Sequence, residues 1–255
     1  MEYSQFISEF YSFSKIDLNA YKEGQMKRRI DSHIKKYGIN SYREFLALLK
    51  KDNKVYETFL GYLTINVSEF FRDPRQWLTL EKEILPKLID PNKTFNVWSA
   101  ACSTGDEPYT LAILLTKMIP SNRFKITATD IDKEILEKAK KGLYPEKQMA
   151  NITPENKSKY FKKCSDGYMI SDEIKTKIEF KQHNLLKDTY PMNIDLIVCR
   201  NVLIYFTEAA KAEIYTKFSR SLAEKGILFV GSTEQIINPI DYGLKARELF
   251  FYTKS

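Results

Sequence analysis

The chain has 255 residues, of which 43% are hydrophobic and 29% charged, a composition that fits a packed globular protein and excludes a disordered chain. No apolar run approaches the ~18 residues that a membrane-spanning helix needs, so membrane insertion is not expected. Lys and Arg number 40 against 33 Asp and Glu, and this net charge of +7 suits an acidic partner as well as it suits a generic lysine-rich surface.

The cysteines and histidines indicate the cellular compartment and bear on whether a metal site is present. Cys102, Cys164 and Cys199 are an odd number with no paired spacing, which fits a reducing compartment. The N-terminal residues lack the basic-then-apolar pattern of a secretory signal, so we predict a cytoplasmic protein. His33 and His183 lie far apart in the sequence, and no metal site is predicted.

The first part of the chain has helical spacing throughout. Aromatic residues over Tyr3–Phe13 predict a first helix, and Tyr21–Tyr37 predicts a second. Ser41, with a glutamate three residues later, has the pattern of a capping box that begins a third helix. Val55–Leu63 continues with helical spacing. We therefore predict a small all-helical domain over residues 1–72, followed by a linker helix over 73–90.

The second predicted helix is amphipathic and basic. Its apolar residues recur at steps of three or four, which predicts a buried face: Met26, Ile30, Ile34 and Tyr37. Arg28, Ser32 and Lys35 fall on the opposite face, which we expect to point outward.

From Phe95 onward, strands alternate with helices, which predicts an α/β domain over residues 91–255. The predicted strands are Phe95–Ser99, Phe124–Thr129, Ile194–Cys199 and Gly226–Gly231, and the helices between them are Glu107–Met118, Lys133–Lys141 and Glu208–Leu222. Such alternation predicts a Rossmann-like, mainly parallel sheet. Leu249–Tyr252 is a candidate late antiparallel strand, and a small β-subdomain is predicted as an insertion at about 155–180.

The first two strands each end in residues suited to a ligand. After the first strand, a turn of small residues includes Gly105 but has neither a dinucleotide fingerprint nor a phosphate loop. Glu107 follows at the helix start, where it is either a ligand contact or only a helix-start residue. The second strand closes on Asp130, which suits ribose hydroxyls, and Asp132, which suits an N-cap. Together they favour a phosphate-free nucleoside cofactor, and S-adenosylmethionine fits.

Two further segments carry polar residues, one at the end of a strand and one between the two domains. The third strand ends in Arg200 and Asn201, which either bind a ligand or form a structural ion pair, because buried polar groups are costly unless paired. The segment over residues 64–74 joins the helical domain to the α/β domain and alternates polar with apolar residues.

Six segments in order resemble the chemotaxis receptor glutamate methyltransferases of the CheR family: TINVSEFFRDP, WSAACSTGDEPYTLA, ATDID, HNLL, DLIVCRNVLIYF and LFVGSTEQI. The resemblance covers nearly the whole chain, and the compact form is similar to the short Bacillus-type members. It implies a class I S-adenosylmethionine methyltransferase domain with a small all-helical N-terminal domain and a small inserted β-subdomain. Departures are Asp106 where members usually have Glu, Ser68 where many have Thr, and a short turn at Cys164–Gly167 that speaks against binding of a receptor pentapeptide.

The resemblance also implies roles for individual residues. Cofactor contacts are implied at Asn66, Ser68, Arg72, Glu107, Asp130, Asn184, Leu185, Arg200 and Asn201. The positions nearest the transferred methyl group are Arg72 and Tyr205. Contacts to the receptor are implied for the basic helix at Lys27, Arg28, Arg29 and Lys35.

The expected activity is transfer of a methyl group from S-adenosylmethionine to glutamate side chains of a chemoreceptor, without a metal. The expected partner is the cytoplasmic helical domain of methyl-accepting chemotaxis receptors, approached by a monomer. A nucleic-acid methyltransferase is the main alternative, supported by the basic charge, but the chain has no RNA-binding module. A non-catalytic cofactor sensor is the second alternative, and retention of the whole motif set argues against it.

Overall fold

The computed structural model describes every residue from Met1 to Ser255 and divides into two compact units. The helical unit consists of residues 1–66 together with 204–213, and the sheet unit consists of residues 67–203 together with 214–255. None of the helices combines the length with the apolar composition that crossing a lipid bilayer requires.

The helical unit contains four helices around an aromatic core. They are α1 (Tyr3–Ser14), α2 (Glu23–Lys36), α3 (Tyr42–Lys51) and α4 (Asn53–Leu63), with a 3₁₀ turn at Leu18–Ala20 between the first two. All four were predicted from the spacing of apolar residues. Phe6, Phe10, Phe45 and Phe59 are fully buried, and the rings of Phe45 and Phe59 meet edge to face at 5.0 Å.

Helix capping in this unit differs in part from the prediction. Ser41 is the N-cap of α3, but its side chain makes no capping hydrogen bond, so the predicted capping box is wrong. A capping bond forms instead at α4, where Asp52 accepts hydrogen bonds from the amides of Lys54 and Val55. Asp52 follows α3 directly, and its carboxylate stabilises the first turn of the next helix.

Helix α2 has the predicted two faces. Met26, Ile30 and Ile34 are buried in the core, whereas Arg28, Ser32 and Lys35 are exposed. The predicted amphipathic basic helix is therefore confirmed except at Tyr37. That residue is the C-cap that follows Lys36, and its side chain is exposed and not on the buried face.

The sheet unit is built on seven strands in the order β6-β2-β1-β7-β8-β10-β9. The strands are β1 (Phe95–Ala100), β2 (Phe124–Asp130), β6 (Ile178–Gln182), β7 (Ile194–Cys199), β8 (Leu222–Val230), β9 (Leu244–Glu248) and β10 (Phe251–Lys254). The first five in the sheet order are parallel, and β10 pairs antiparallel with both β8 and β9. This confirms the predicted Rossmann-like, mainly parallel sheet with a late antiparallel strand.

Helices connect these strands along the chain. They are α7 (Asp106–Met118), α8 (Lys133–Lys141), α9 (Pro154–Tyr160), α10 (Asp172–Lys175) and α11 (Glu208–Ser221). Ahead of β1, the chain forms α5 (Pro74–Thr79), a π-helical turn (Leu80–Ile84) and α6 (Leu85–Leu88). Trp77, Leu80 and Leu85 from this stretch are buried in the core of the sheet unit. Burial of these side chains makes the stretch part of the unit's packing.

The inserted β-subdomain is a three-stranded antiparallel sheet in the order β3-β5-β4. A hairpin of β4 (Phe161–Cys164) and β5 (Gly167–Ile170) fits the prediction, and β3 (Leu143–Tyr144) completes the sheet from outside the predicted range. The C-terminal end of the predicted insertion differs from the expectation. It enters β6 of the main sheet, where Ile178 and Phe180 pack against the hydrophobic core.

Candidate active site

The loop that leaves β1 turns sharply over the end of β2. Ala101, Ser103 and Gly105 all have left-handed backbone angles, with φ of 60°, 48° and 89°. A Cβ atom on Gly105 would lie 3.0 Å from the Cβ of Ala139, so the close packing of the loop on α8 favours glycine. Two non-glycine residues in this conformation mark a strained loop, and such strain is typical of ligand-binding sites.

Asp130 ends β2 beneath that loop. Its Oδ2 accepts a hydrogen bond from the amide of Ser103 at 2.9 Å, and its Oδ1 accepts one from the amide of Asp132 at 3.0 Å. Burial raises the pKa of Asp130 to about 6, although these backbone donors oppose the shift. The carboxylate is thus fixed in orientation and retains acceptor capacity, because each oxygen has two lone pairs.

Asp132 has the helix-capping role that its position favours. Its side chain accepts a hydrogen bond from the amide of Ile135 at 3.1 Å and caps α8. The interpretation of Asp132 as an N-cap is confirmed.

Glu107 lies in the first turn of α7 and faces the ends of two strands. Ser99 of β1 donates a hydrogen bond to its Oε1 at 2.8 Å, and the Nη1 of Arg200 lies 3.9 Å from its Oε2. Burial raises the pKa of Glu107 to about 7, with Arg200 acting in the opposite direction. Glu107 is therefore tied into a buried polar network and is more than a helix-start residue.

Arg200 follows β7 and forms structural ion pairs with Asp73 and Glu107, in addition to contacts with uncharged groups. Its Nη2 donates to Asp73 at 3.0 Å, to Gln76 at 2.7 Å and to the carbonyl of Arg72 at 2.9 Å. Its guanidinium also lies over the ring of Phe229, 4.8 Å from the centroid. Its Nε is buried without a partner in the protein, so one donor remains for a polar group of a ligand.

The segment before α5 holds Arg72 and Ser68. The carbonyl of Arg72 accepts from Arg200 and from the indole of Trp77, and its own Nη1 donates to the carbonyl of Val67 at 3.2 Å. The Ser68 carbonyl accepts from the Gln148 side chain at 3.1 Å. The backbone of this loop is thus fixed from several sides, whereas the Arg72 guanidinium is held by one bond to its own loop.

Asn201 adjoins Arg200 in a left-handed conformation, with φ of 61°. Its amide donates to Oε2 of Glu234 at 2.5 Å. The same carboxylate accepts from the amides of Leu203 at 2.6 Å and Gly231 at 3.0 Å. Sequence reasoning missed Glu234 as an organiser of this turn. The sequence did contain a signal, since Glu234 is an acid within the segment LFVGSTEQI. An acid that is buried there needs hydrogen-bond donors around it.

The segment after β6 approaches Asp130 through the backbone. The amide of His183 donates to the Asp130 carbonyl at 2.9 Å, which places Asn184 next along the chain. The Asn184 side chain accepts from the Leu186 amide at 3.0 Å, and Leu185 is buried. The residues predicted to contact the cofactor at or after the ends of β1, β2, β6 and β7 therefore lie at the same edge of the sheet.

Two predicted site residues belong to the helical unit. The Asn66 side chain donates to the hydroxyl of Thr64 at 3.0 Å. Tyr205 ends the 3₁₀ turn Leu203–Tyr205, and its carbonyl accepts from the amide of Lys22 at 2.9 Å. Their proximity to a methyl group stays a prediction.

The predicted receptor-contacting residues divide into two groups. Lys27, Arg28 and Lys35 are exposed and line a shallow hollow of about 420 Å³ on α2. Arg29 is only half-exposed, because its guanidinium lies 4.7 Å from the ring centroid of Tyr62 and donates to that residue's carbonyl. The Arg29 head group is thus engaged within the helical unit, and its contact with a receptor stays a prediction.

The donor set at the sheet edge fits a nucleoside with a charged tail. Asp130 and Glu107 offer carboxylate acceptors to hydroxyl or ammonium groups, and the buried Nε of Arg200 offers a donor. The loop over residues 101–105 brings backbone close, without the glycine pattern that binds a pyrophosphate. S-adenosylmethionine has an adenosine, an amino-acid tail and no phosphate, which suits these residues.

Comparisons with known proteins cover both units. Residues 1–64 match the family model described as the CheR methyltransferase all-alpha domain, and residues 66–246 match the CheR methyltransferase SAM-binding domain. A chemotaxis protein methyltransferase from Listeria innocua is 45% identical over 94% of this chain and 92% of its own length. The Listeria monocytogenes protein of that name is 44% identical over the same shares of the two chains. The Borreliella burgdorferi protein of that name is 32% identical over 92% of this chain and 88% of its own length.

Proposed function

The chain belongs to the CheR family of methyltransferases, and on that premise we propose that it esterifies glutamate side chains of a bacterial chemoreceptor. It is an S-adenosylmethionine-dependent methyltransferase of chemotaxis, with a class I methyltransferase domain and a helical N-terminal domain. The proposal adds the acceptor group, the partner and the roles of single residues. The observation that carries it is the exposed cationic row on α2, which is complementary to an acidic helical surface.

The cofactor contacts are proposed from the geometry of the sheet edge. We propose that Asp130 binds the ribose hydroxyls, and that Glu107 and Arg200 interact with the amino-acid tail. Asn201 adjoins Arg200 along the chain, and Asn184 and Leu185 follow His183, whose amide binds the Asp130 carbonyl. These three residues are proposed to contact the cofactor as well, as are Asn66 and Ser68. Bound S-adenosylmethionine supplies a sulfonium methyl group, which is a strong electrophile.

The acceptor needs no general base. A glutamate side chain has a reference pKa near ~4.3 and is already ionised at neutral pH. One of its oxygens forms the new bond to the methyl carbon, the carbon–sulfur bond breaks, and its electron pair stays on sulfur. The products are a neutral methyl ester and S-adenosylhomocysteine, and no proton moves. Catalysis then depends on alignment, an effect that can be worth ~7–11 kcal/mol.

Arg72 and Tyr205 are the residues proposed to provide that alignment. The Arg72 guanidinium has one hydrogen bond within its loop, to the Val67 carbonyl, so most of its donors remain for a carboxylate. Tyr205 is half-buried, and its hydroxyl and ring are proposed to line the path of the incoming side chain.

The proposed partner is the cytoplasmic helical domain of a methyl-accepting receptor. Lys27, Arg28 and Lys35 would steer an acidic helix toward the enzyme, and such steering weakens as salt rises. We place this encounter in the cytoplasm and expect the enzyme to act as a monomer.

Methyl transfer from labelled S-adenosylmethionine to purified receptor fragments tests the proposal. We expect label on the receptor that mild base releases as methanol, because esters hydrolyse whereas methylated amines do not. A receptor fragment with its acceptor glutamates changed to glutamine is the matched control and should stay unlabelled. Label that resists base, or that enters RNA in place of the receptor, would contradict the proposal.

A further inference from the structure

The loop before α2 forms a short antiparallel pairing with the segment that carries Tyr205. The amide of Lys22 donates to the Tyr205 carbonyl at 2.9 Å, and the amide of Thr207 donates to the Ala20 carbonyl at 2.8 Å. Tyr21 and Phe206 are the paired residues between these two bonds. We call this pairing of Ala20–Lys22 with Tyr205–Thr207 the clasp. Both strands of the clasp lie within the helical unit.

Side chains reinforce the clasp. The rings of Tyr21 and Phe206 stack with centroids 4.6 Å apart and planes inclined by 27°. Phe206 is only 4% exposed, so the segment is anchored in packed protein next to Tyr205. On the other side of Tyr205, the amide of Leu203 is bound by the Glu234 carboxylate within the sheet unit. Tyr205 therefore sits in a short stretch that is fixed both before and after it.

We propose that the clasp positions Tyr205 for methyl transfer, with Tyr21 and Lys22 as positioning residues that act through the backbone. This inference depends on the proposed function, in which Tyr205 lines the transfer site. Backbone pairing suits that task, because a displacement of about 1 Å at a reacting centre can cost ~10²-fold in rate. Lys22 is also the N-cap of α2, so the proposed receptor-contacting helix begins at the clasp.

The backbone angles at Lys22 permit a clean test. Its φ is −59°, which matches proline, and Tyr21 before it has φ −102° and ψ 154°, which proline tolerates in a preceding residue. Lys22→Pro removes the amide that binds Tyr205, whereas Lys22→Ala removes the same charge and keeps the amide. Proline also places its Cδ against the Tyr205 carbonyl, so the comparison separates the pairing of the two segments from the lysine side chain.

We expect Lys22→Pro to have a kcat at least tenfold below that of Lys22→Ala. The receptor KM and the dissociation constant for S-adenosylhomocysteine should stay within twofold, because both variants keep the exposed cations of α2 and the proposed cofactor-binding residues of the sheet edge. Equal kcat values for the two variants would overturn the inference. Loss of cofactor affinity in step with kcat would also overturn it, since that pattern indicates a general structural defect.

Tyr21 variants provide a second route that leaves the backbone bonds unchanged. We expect Tyr21→Ala to lower kcat about fivefold or more, and Tyr21→Phe to retain the wild-type value because the ring stack is kept. Tyr56→Ala is the matched control, since the Tyr56 ring contacts those of Phe10 and Phe13 elsewhere in the same unit. A similar kcat loss in Tyr56→Ala would show that any aromatic truncation has this effect and would refute a positioning role.

The wild-type enzyme separates this inference from the proposed function. If the wild type forms no base-labile ester on the receptor, the proposed function fails and the role of the clasp fails with it. If the wild type forms the ester and the clasp variants do so equally fast, only the positioning role is wrong.

Discussion

The guanidinium of Arg200 and the carboxylate of Glu107 lie 3.9 Å apart, and both side chains are largely withdrawn from solvent. The two groups come from different parts of the sheet edge, after β7 and at the start of α7. Opposite charge stabilises ionised Glu107, whereas burial opposes it, and the balance raises its pKa to about 7. Proton uptake at Glu107 is therefore linked to folding near neutral pH.

That linkage predicts a pH-dependent stability difference between the wild type and Glu107→Gln. Because the pKa of Glu107 is higher in the folded protein than in the unfolded chain, the folded state holds the extra proton between about pH 4.5 and 7. The free energy of unfolding that this extra proton contributes is fully present below pH 4.5 and is lost as pH rises through 7. The wild type should thus lose up to about 3 kcal/mol relative to the variant across this range.

Urea unfolding at half-unit pH steps measures this difference. The exposed Glu83→Gln variant controls for the loss of a carboxylate and should follow the wild type. A constant stability difference between the wild type and Glu107→Gln from pH 4.5 to 7.5 would show that the Glu107 pKa is not raised.

Asp130 and Asp132 form a matched pair for testing the ribose assignment. Both carboxylates accept backbone hydrogen bonds, but only Asp130 is proposed to bind the cofactor. Asp130→Ala should weaken S-adenosylhomocysteine binding at least tenfold, because hydrogen bonds to charged groups are worth ~1.5–3 kcal/mol. Asp132→Ala should cost about 1 kcal/mol of stability through the lost N-cap and leave affinity within threefold. Calorimetry measures both affinities, and equal affinity losses would rule out the assignment.

Glu234 should contribute both to stability and to cofactor affinity, because its carboxylate binds the amides of Asn201, Leu203 and Gly231. Glu234→Gln replaces one of its oxygens with an NH₂ group that faces backbone donors, so we expect a loss of roughly 2 kcal/mol in unfolding free energy. Because the turn at Asn201 then loosens, cofactor affinity should fall as well. Glu224→Gln, an exposed change near the opposite end of β8, is the control. Thermal unfolding with and without S-adenosylhomocysteine measures both effects, and wild-type behaviour of Glu234→Gln would contradict this account.

Charge reversal on α2 should affect the receptor and spare the cofactor. Arg28→Glu combined with Lys35→Glu should raise the receptor KM at least tenfold at low salt, and the difference should shrink as ionic strength rises. Arg29 is left unchanged, because reversing it would also break its contact with Tyr62. Lys138→Glu with Lys140→Glu on α8 makes the same net change elsewhere. An equal KM increase in that control would point to net charge and not to the α2 face.

Much of the framework was predictable because its signals are local. The predicted bounds of two elements, Lys133–Lys141 and Ile194–Cys199, are those of the structure. The first has helical spacing and the second is a short apolar run, and both signals are visible within the segment itself. β3 was missed because a two-residue strand has no periodicity. β6 was misread because its place in the main sheet depends on pairing with β2, which lies far away in the sequence.

The site was predictable in its residue types and less so in their partners. Asp130 and Asp132 were assigned different roles from their positions relative to β2 and α8, and the capping role of Asp132 is confirmed. The partners of Arg200 were not predictable, because Asp73 lies 127 residues away and only the folded chain brings it within 3.0 Å. The same holds for Glu234 and the amides that it binds.

The helical unit is assembled from two distant pieces of one chain, residues 1–66 and 204–213. A ribosome must synthesise residues 67–203 between them, which takes roughly ten seconds or more at typical rates of translation. Until then, the nascent N-terminal helices lack Phe206 and the backbone partners of Ala20 and Lys22. The first piece to emerge is therefore completed late: its apolar core lies within residues 1–63, but its pairing with residues 205–207 forms only after the intervening chain has been made.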